Sequence, residues 1–197
     1  IKVLELGQLI AGPFTGSMLG YFGADVIKVE QPGVGDPLRK WRMMDGDTSV
    51  WWASMARNKK CITANLRTEE GCDIVRKLAA EADVLIENFR PGAMEKWGLG
   101  PDVLRKTNPG LIYARVSGYG QDGPYSSRLG FASVCEGIGG FRYLNGFADR
   151  PPVRPNLSMG DTLAALHTAL GIAMACVRKL NDPEKRGQIV DVAIYEA

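Results

Sequence analysis

The sequence has little of what metal, redox and nucleic-acid sites are usually built from. Its 197 residues include one histidine and four cysteines, and no two cysteines have the CxxC spacing typical of zinc and redox sites. The net charge is only +2, and the basic residues are scattered, which argues against a nucleic-acid surface. We therefore expect no metal site, no nucleic-acid partner, and four buried thiols in a reducing compartment.

A long uninterrupted apolar run is also missing. The most apolar helical stretch, residues 163–177, is interrupted by His167 and Gly171, and we predict that it is too short to cross a bilayer. No charged and then apolar leader is present. We expect a cytoplasmic protein with no membrane partner. Because the chain starts inside an apolar strand without a methionine, we also expect it to be part of a longer protein.

The sequence does have the composition of a globular domain, and strand-like segments alternate regularly with helix-like segments along it. The chain is 45% hydrophobic and 23% charged, which is enough apolar material for a real core. Short β-branched runs alternate with segments of helical periodicity, and this order predicts an α/β fold with a parallel sheet. We predict strands over residues 2–6, 24–30, 61–66, 83–86, 111–116 and 188–194, and helices over residues 14–22, 69–82, 93–97, 101–106, 131–141 and 161–180.

A glycine-rich turn, residues 7–14, follows the first predicted strand. Backbone amides at the start of a helix can bind an anion such as a pyrophosphate. A dinucleotide fingerprint would need GxGxxG at this point, and the spacing of Gly7, Gly12 and Gly16 does not provide it. We therefore reject dinucleotide binding, and a purely structural turn remains an alternative to a ligand site.

A second candidate site is the loop of residues 88–92, which follows another predicted strand. Asn88 offers an amide, Phe89 an aromatic face, and Arg90 and Lys96 two cations. This set suits a ligand that carries a nucleotide, such as coenzyme A (CoA). A solvated turn with an extended lysine is the alternative.

Asp161 stands at the start of the long apolar helix. An aspartate there is a favoured N-cap, and a carboxylate aimed into a cleft can also be a nucleophile toward a thioester. The residue types alone leave both interpretations open. We expect His167 to pack against the helix rather than act as a base, because no nucleophile and orienting acid can be placed beside it.

The order of six segments is more specific than any one of them. They are LIAGPF at residues 9–14, GADVIKVEQPG at 23–33, RNKK at 57–60, ENFRPG at 87–92, GYGQDGP at 118–124 and the pair Gly160 and Asp161. This order resembles the family III CoA-transferases, the group that includes the formyl-CoA and carnitine CoA-transferases. The resemblance covers essentially the whole chain.

The resemblance implies a Rossmann-like open parallel sheet flanked by helices, and a specific chemistry. Asp161 would be the catalytic carboxylate that takes CoA from an acyl-CoA donor to a carboxylic acid, through an aspartyl anhydride and an aspartyl-CoA thioester. No metal is needed for this chemistry. The implied CoA-binding residues are Ile10 and Ala11, through their backbone, with Asn88, Phe89, Arg90 and Lys96.

The resemblance also implies a larger assembly. Residues 1–197 would be the large domain of a protein that has a second, smaller domain, a closing C-terminal helix and an interlocked homodimer. The loop at residues 137–140 could shield intermediates from water. We expect Arg128, Arg150 or Arg154 to meet the acceptor carboxylate, and Gln31 stands where some transferases have an arginine.

Two alternatives stay open. The α-methylacyl-CoA racemases of the same superfamily pair the aspartate with an upstream histidine that moves a proton. Phe131 occupies that neighbourhood here and cannot take a proton, which disfavours racemisation. The other alternative is a non-catalytic CoA-binding fragment in which Asp161 only caps its helix.

Overall fold

The centre of the fold is one six-stranded sheet, in a computed structural model that describes residues 1–197. Its strand order is β5-β2-β1-β6-β7-β8, and every neighbouring pair is parallel. This is the doubly wound order of Rossmann-like folds, so the predicted fold class is confirmed. In chain order the strands are β1 (Lys2–Glu5), β2 (Asp25–Glu30), β3 (Met44–Asp45), β4 (Thr48–Ser49), β5 (Lys59–Thr63), β6 (Val84–Glu87), β7 (Ile112–Ser117) and β8 (Ile189–Ala193).

Helices cover both faces of this sheet. They are α1 (Ala11–Tyr21), α2 (Val50–Met55), α3 (Glu69–Glu81), α4 (Ala93–Lys96), α5 (Pro101–Thr107), α6 (Ala132–Ile138), α7 (Phe141–Leu144) and α8 (Met159–Asn181), with a 3-10 turn over Pro37–Lys40. In β1, Val3 packs with Ile172 of α8 on one face, and Leu4 packs with Val75 of α3 on the other. Because strands covered on both faces are rich in apolar residues, β6 contains a continuous apolar run over residues 84–86.

Most predicted elements end within two residues of the observed bounds, and the differences are local. The tryptophan-rich segment forms a small antiparallel hairpin, β3 and β4, followed by α2, none of which we predicted. The helix predicted over residues 131–141 is two helices, α6 and α7. The break falls at Gly140, whose φ of 85° is in the left-handed region that does not continue a helix.

Helix α8 differs from prediction at its start and in its length. Ser158 is the N-cap residue and Met159 the first helical residue, so Asp161 is the third residue of the helix and its interpretation as the N-cap was wrong. The helix has 23 residues, and an 18-residue window of it has a mean hydropathy of 1.4, so α8 is long and apolar enough to cross a membrane by length and composition. The prediction that this stretch is too short was therefore wrong. Its buried side chains pack against α1 and the sheet, as those of core helices do.

The four cysteines are unpaired, but they are not all buried. Cys72 and Cys135 are buried, Cys176 is half-buried and Cys61 is exposed. The prediction of four buried thiols was wrong for Cys61 and Cys176. Cys61 lies on β5, which forms one edge of the sheet, and its side chain is exposed there.

Charged side chains lie buried where β1 ends. Lys28 Nζ lies 2.8 Å from Glu5 Oε1 and 2.8 Å from Asp36 Oδ2, and it donates to the carbonyl of Gly7 at 2.7 Å. Lys59 Nζ lies 2.8 Å from the other oxygen of Glu5. All four side chains are at most 1% exposed. Although burial opposes it, the charges of Glu5 and Asp36 raise the pKa of Lys28, whereas burial lowers the pKa of Lys59 despite its pair with Glu5.

Replacing Lys28 with methionine should destabilise the protein strongly. The change leaves the Asp36 carboxylate buried without its cation, and breaking a buried pair in this way costs about 3–5 kcal/mol. Lys60→Met is the matched control, because Lys60 pairs with Asp25 at an exposed position, where loss of the pair costs less than about 1 kcal/mol. Urea denaturation of both variants measures the difference. Equal losses would contradict a special role for the buried network.

Candidate active site

A cavity of about 380 Å³ lies beyond the ends of the neighbouring strands β1 and β6. At these two strands the order of the sheet reverses, with β2 and β5 on one side and β7 and β8 on the other. The segment after β1 leads to α1 on one face of the sheet, and the segment after β6 leads to α4 and α5 on the other. In open α/β sheets ligands bind in the crevice at such a switch point, outside the carboxyl ends of the strands. The wall also includes the end of β7, residues 128–133 and the first turn of α8.

The turn after β1 closes tightly on Asn88. A Cβ at Gly7 would lie 2.8 Å from Asn88 Oδ1, and a Cβ at Gly12 would lie 2.9 Å from the same atom. Asn88 Oδ1 accepts a hydrogen bond from the Gln8 amide at 2.7 Å, and its Nδ2 donates to the Gln8 carbonyl at 2.9 Å. Only glycine leaves room for this clamp, so the glycines of the turn have a definite structural role.

The buried charges hold the same turn from below. Leu9 has a φ of 61°, a left-handed conformation that is costly for a leucine, and its amide donates to Asp36 Oδ1 at 3.1 Å. Asp36 is in turn paired with Lys28. Ile10 and Ala11 follow, both buried and both on the cavity wall. The network therefore fixes the backbone that lines the cavity.

The loop after β6 forms the opposite wall. The ring of Phe89 packs edge to face against the ring of Trp97, with centroids 5.2 Å apart. The backbone amide of Phe89 donates a hydrogen bond to Glu87 Oε2 at 2.8 Å. Burial raises the pKa of Glu87 to about 7, although the Arg115 cation lowers it. Arg90 is exposed and lines the cavity.

Six of the seven site residues expected from sequence lie together on this wall. They are Ile10, Ala11, Asn88, Phe89, Arg90 and Asp161. The seventh, Lys96, is exposed at the end of α4, outside the wall. Arg150 is also outside, 5.3 Å from the ring centroid of Phe147, and residues 137–140 do not reach the wall.

The wall is strongly positive. Arg42, Arg90, Arg128 and Arg154 all line it, against a single carboxylate, Asp161. This arrangement favours a ligand with several negative charges. Sequence reasoning missed Arg42, because the irregular tryptophan-rich segment gave no periodic signal. The Arg42 guanidinium lies 5.8 Å and 5.5 Å from the rings of Trp41 and Trp51.

Asp161 has the environment of a reactive carboxylate. Burial raises its pKa to about 6, the charge of Glu136 adds to the rise, and Arg154 opposes it. At neutral pH the group is therefore mostly ionised, yet more basic than an ordinary aspartate. A positioned carboxylate of this kind can attack an acyl carbon.

The wall contains no histidine, lysine or cysteine. His167 is exposed on α8, with its Nδ1 2.9 Å from the Leu163 carbonyl oxygen, so its predicted packing role was wrong. Phe131 lies on the wall instead. The structure brings together no group of three or more histidine, cysteine, aspartate or glutamate side chains that could hold a metal ion.

Comparison with known families identifies the chain. The family model described as CoA-transferase family III matches residues 1–197. The chain belongs to CoA-transferase family III. The resemblance inferred from the six ordered segments is therefore confirmed.

Relatives of this family III chain share both sequence and fold. It is 51% identical over 197 residues to a succinyl-CoA–D-citramalate CoA-transferase of Chloroflexus aurantiacus, covering 100% of this chain and 48% of the relative. It is 40% identical over 176 residues to a human succinyl-CoA:glutarate CoA-transferase, covering 89% of the chain and 40% of the relative. A CAIB/BAIF family protein from Brucella suis matches with a TM-score of 0.93 and 38% identity, over 100% of this chain and 52% of that one. The chain spans about half the length of the curated relatives it matches.

Replacing Asp161 with asparagine should stabilise the protein at neutral pH. The folded pKa of Asp161, about 6, lies above its unfolded value, so ionisation of this carboxyl destabilises the folded wild type. This loss of folding stability is absent below about pH 4 and complete above about pH 7. After allowance for partial exposure, we expect a gain of about 1–2 kcal/mol at pH 8 and little gain at pH 4. Denaturation at both pH values tests this. The matched variant Asp149→Asn removes a carboxyl group from an exposed loop and is the control, and an equal gain in that variant would contradict the interpretation.

Proposed function

We propose that this protein transfers CoA from an acyl-CoA donor to a carboxylic acid, with Asp161 as the catalytic carboxylate. The observation that carries the proposal is the position of Asp161 as the single carboxylate on a cavity wall with four arginines. CoA thioesters and carboxylic acids are anions, so such a wall suits both substrates. Membership of CoA-transferase family III supports the same activity.

The proposed reaction uses Asp161 first as nucleophile and then as acyl carrier. An Asp161 oxygen attacks the thioester carbon and the C–S bond breaks. CoA departs as a thiolate, and the acyl group remains on Asp161 as a mixed anhydride. The thiolate then attacks the Asp161 carbonyl carbon, which releases the donor acid as a carboxylate and forms an aspartyl-CoA thioester. A carboxylate suits these steps because it is both nucleophile and leaving group.

The acceptor repeats the steps in reverse. Its carboxylate attacks the aspartyl-CoA carbonyl and displaces CoA thiolate, which gives a second mixed anhydride. The thiolate then attacks the acceptor's acyl carbon, so that the new acyl-CoA leaves and the Asp161 carboxylate is regenerated. No proton is gained or lost overall, which fits a wall without histidine or lysine, and none of these steps requires a metal.

CoA would lie across the switch point of the sheet. We assign it the backbone of Ile10 and Ala11 at the start of α1, and the side chains of Asn88, Phe89 and Arg90 on the opposite wall. The amides at the start of α1 favour negative charge. Lys96, which is exposed beyond the wall, would meet the nucleotide phosphates outside the cavity.

The acceptor is proposed to be a dicarboxylate or hydroxy acid. Relatives are named for D-citramalate, L-malate and glutarate. The second carboxylate of such an acid needs a cation near Asp161, and Arg128 and Arg154 both lie on the wall. Arg154 is close enough to lower the pKa of Asp161 against the effect of burial, which makes it the stronger candidate.

We also propose that the whole protein is cytoplasmic, has a second, smaller domain and forms a homodimer. Two relatives are named as the alpha and beta subunits of a succinyl-CoA–L-malate CoA-transferase, which supports assembly in the family. The outer side of α8 also supports it, because large apolar side chains are exposed there, among them Leu170, Met174 and Leu180. Contiguous apolar surface of this kind is typical of interfaces.

The racemase alternative finds no support on the cavity wall. Moving an α-proton needs a base beside the aspartate, and Phe131 stands on the wall in a cavity without histidine. Deuterium incorporation at the α-carbon of an acyl-CoA, catalysed by the protein in heavy water, would favour racemisation instead.

Asp161→Asn should abolish CoA transfer while the variant still binds acyl-CoA. Loss of the nucleophile removes the covalent route, and we expect transfer to fall by a factor of about 1000 or more. The assay uses succinyl-CoA with a panel of carboxylic acids. Hydroxylamine should trap an acylated Asp161 in the wild type, which peptide mass spectrometry detects.

The control for this experiment is Asp102→Asn, an exposed position in α5, which should keep full activity and the trapped adduct. Transfer that survives in Asp161→Asn would contradict the proposed nucleophile. Wild-type protein that binds CoA but never forms the adduct would favour the non-catalytic alternative.

Asn88→Ala should weaken acyl-CoA binding more than it slows turnover. The change removes both hydrogen bonds to the main chain of Gln8, worth about 2 kcal/mol together, so the turn loses its fixed position. We expect the KM for acyl-CoA to rise about tenfold or more, with a smaller change in kcat. Asn181→Ala, which removes only an exposed bond at the end of α8, is the control. A fall in kcat at constant KM would instead place Asn88 in the chemical steps.

A further inference from the structure

A second carboxylate, Glu136 of α6, lies buried against the first turn of α8. Its side chain is 3% exposed. One oxygen, Oε1, accepts a hydrogen bond from the amide of Gly160 at 3.1 Å. The other, Oε2, accepts from Nε and Nη2 of Arg142 at 3.1 Å and 3.0 Å. Glu136 thus joins α7 to the residue that directly precedes Asp161.

This contact replaces a cap that α8 lacks. The N-cap residue Ser158 makes no side-chain hydrogen bond to the helix, although the first amides of a helix need acceptors. Glu136 supplies one of them from another helix. The hydrogen bond therefore sets where the first turn of α8 lies relative to α6.

Packing leaves Gly160 little freedom to move. A Cβ at this position would lie 3.0 Å from Ile194 Cγ2, 3.4 Å from Ala132 Cβ and 3.4 Å from Glu136 Cγ. The residue is wedged between the end of β8 and α6. Because Asp161 follows it directly, the position of its backbone depends on the same contacts.

Glu136 also contributes charge. After burial, it is the main cause that raises the pKa of Asp161 to about 6. Arg142 holds Glu136 in an ion pair on the side of α7. Arg154 acts on Asp161 in the opposite sense, and Arg128 faces the same cavity.

Cys135 is the other ionisable group of α6 near Asp161. Burial raises the pKa of its thiol, a hydrogen bond with Tyr119 lowers it, and the charges of Asp161 and Glu136 raise it again. The thiol is therefore neutral at the pH of an assay. It adds no charge of its own to the Asp161 site.

We propose that Glu136 is a positioning residue for Asp161, which anchors the amide of Gly160 and, through its pair with Arg142, places a controlled negative charge beside the first turn of α8. The role in catalysis rests on the proposed function of Asp161. Anchoring and charge are separable, because glutamine can accept the same hydrogen bond without the charge.

Glu136→Gln should shift the acid limb of the pH profile of kcat to lower pH, by about half a unit or more, with the KM for acyl-CoA unchanged. Arg142→Gln should shift the limb to higher pH, because the charge of Glu136 then acts on Asp161 without its counterion. Glu136→Ala loses the anchor as well, so its kcat should fall about tenfold at every pH, and Glu136→Gln should restore most of it.

A purely structural role for Glu136 would lower activity or stability in these variants without moving the limb in opposite directions. Limbs that coincide in the wild type and both glutamine variants would overturn the proposal. Should Glu136→Gln fail to fold, Arg142→Gln alone still decides, because Arg142 is partly exposed and its predicted shift is toward higher pH.

A carbon-13 titration of the Asp161 carboxyl separates this proposal from the proposed function. The signal is assigned by its loss in Asp161→Asn, and its midpoint is expected to move down in Glu136→Gln and up in Arg142→Gln. If the midpoints move but the wild type neither transfers CoA nor forms the trapped adduct, only the proposed function fails. If transfer is intact and the midpoints do not move, only the role of Glu136 fails.

Discussion

The clamp between Asn88 and the main chain of Gln8 joins the two halves of the sheet at the point where they separate. The side chain comes from the end of β6 and the main chain from the end of β1, and two hydrogen bonds connect them. Gly7 and Gly12 are required because any Cβ there would occupy the space of the amide. Beneath the clamp, Lys28 binds the carbonyl of Gly7 and the carboxylate of Asp36. The turn on the cavity wall is thus held on one side by the Asn88 amide and on the other by the buried charges of Lys28 and Asp36.

Charge in this protein is distributed locally rather than globally. The net charge is only +2, yet four arginines line one cavity with one carboxylate among them. Such a wall favours anionic ligands, and Arg154 favours the ionised form of Asp161. Burial and Glu136 act against Arg154 and keep the pKa of Asp161 near 6. The result is a carboxylate that is mostly ionised at neutral pH and more basic than an ordinary aspartate.

Local patterns in the sequence were enough for the sheet. The catalytic role of Asp161 was implied only by the resemblance of the six ordered segments, and contacts between distant segments left no local pattern. The β-branched runs gave β1, β2, β6 and β7, because buried parallel strands are apolar on both faces. The residue type and neighbourhood of Asp161 favoured a helix cap and left the nucleophile as the alternative, and the start of α8 at Met159 removed the cap. Arg42 and Glu136 were missed because their roles depend on the packing of segments far apart in the chain, which no period or spacing records.

Helix α8 links the core, the site and the unpartnered surface of this chain. Its inner face, with Ala164 and Ile172, packs against the sheet and α1, so the position of the helix is fixed by the core. Its first turn holds Asp161 at the cavity and depends on Glu136 for its cap. Its outer face exposes Leu170 and Met174, so any partner that binds there contacts the same rigid helix. The core, the candidate site and this exposed face are therefore parts of one helix, whose position is fixed by its packing against the sheet and α1.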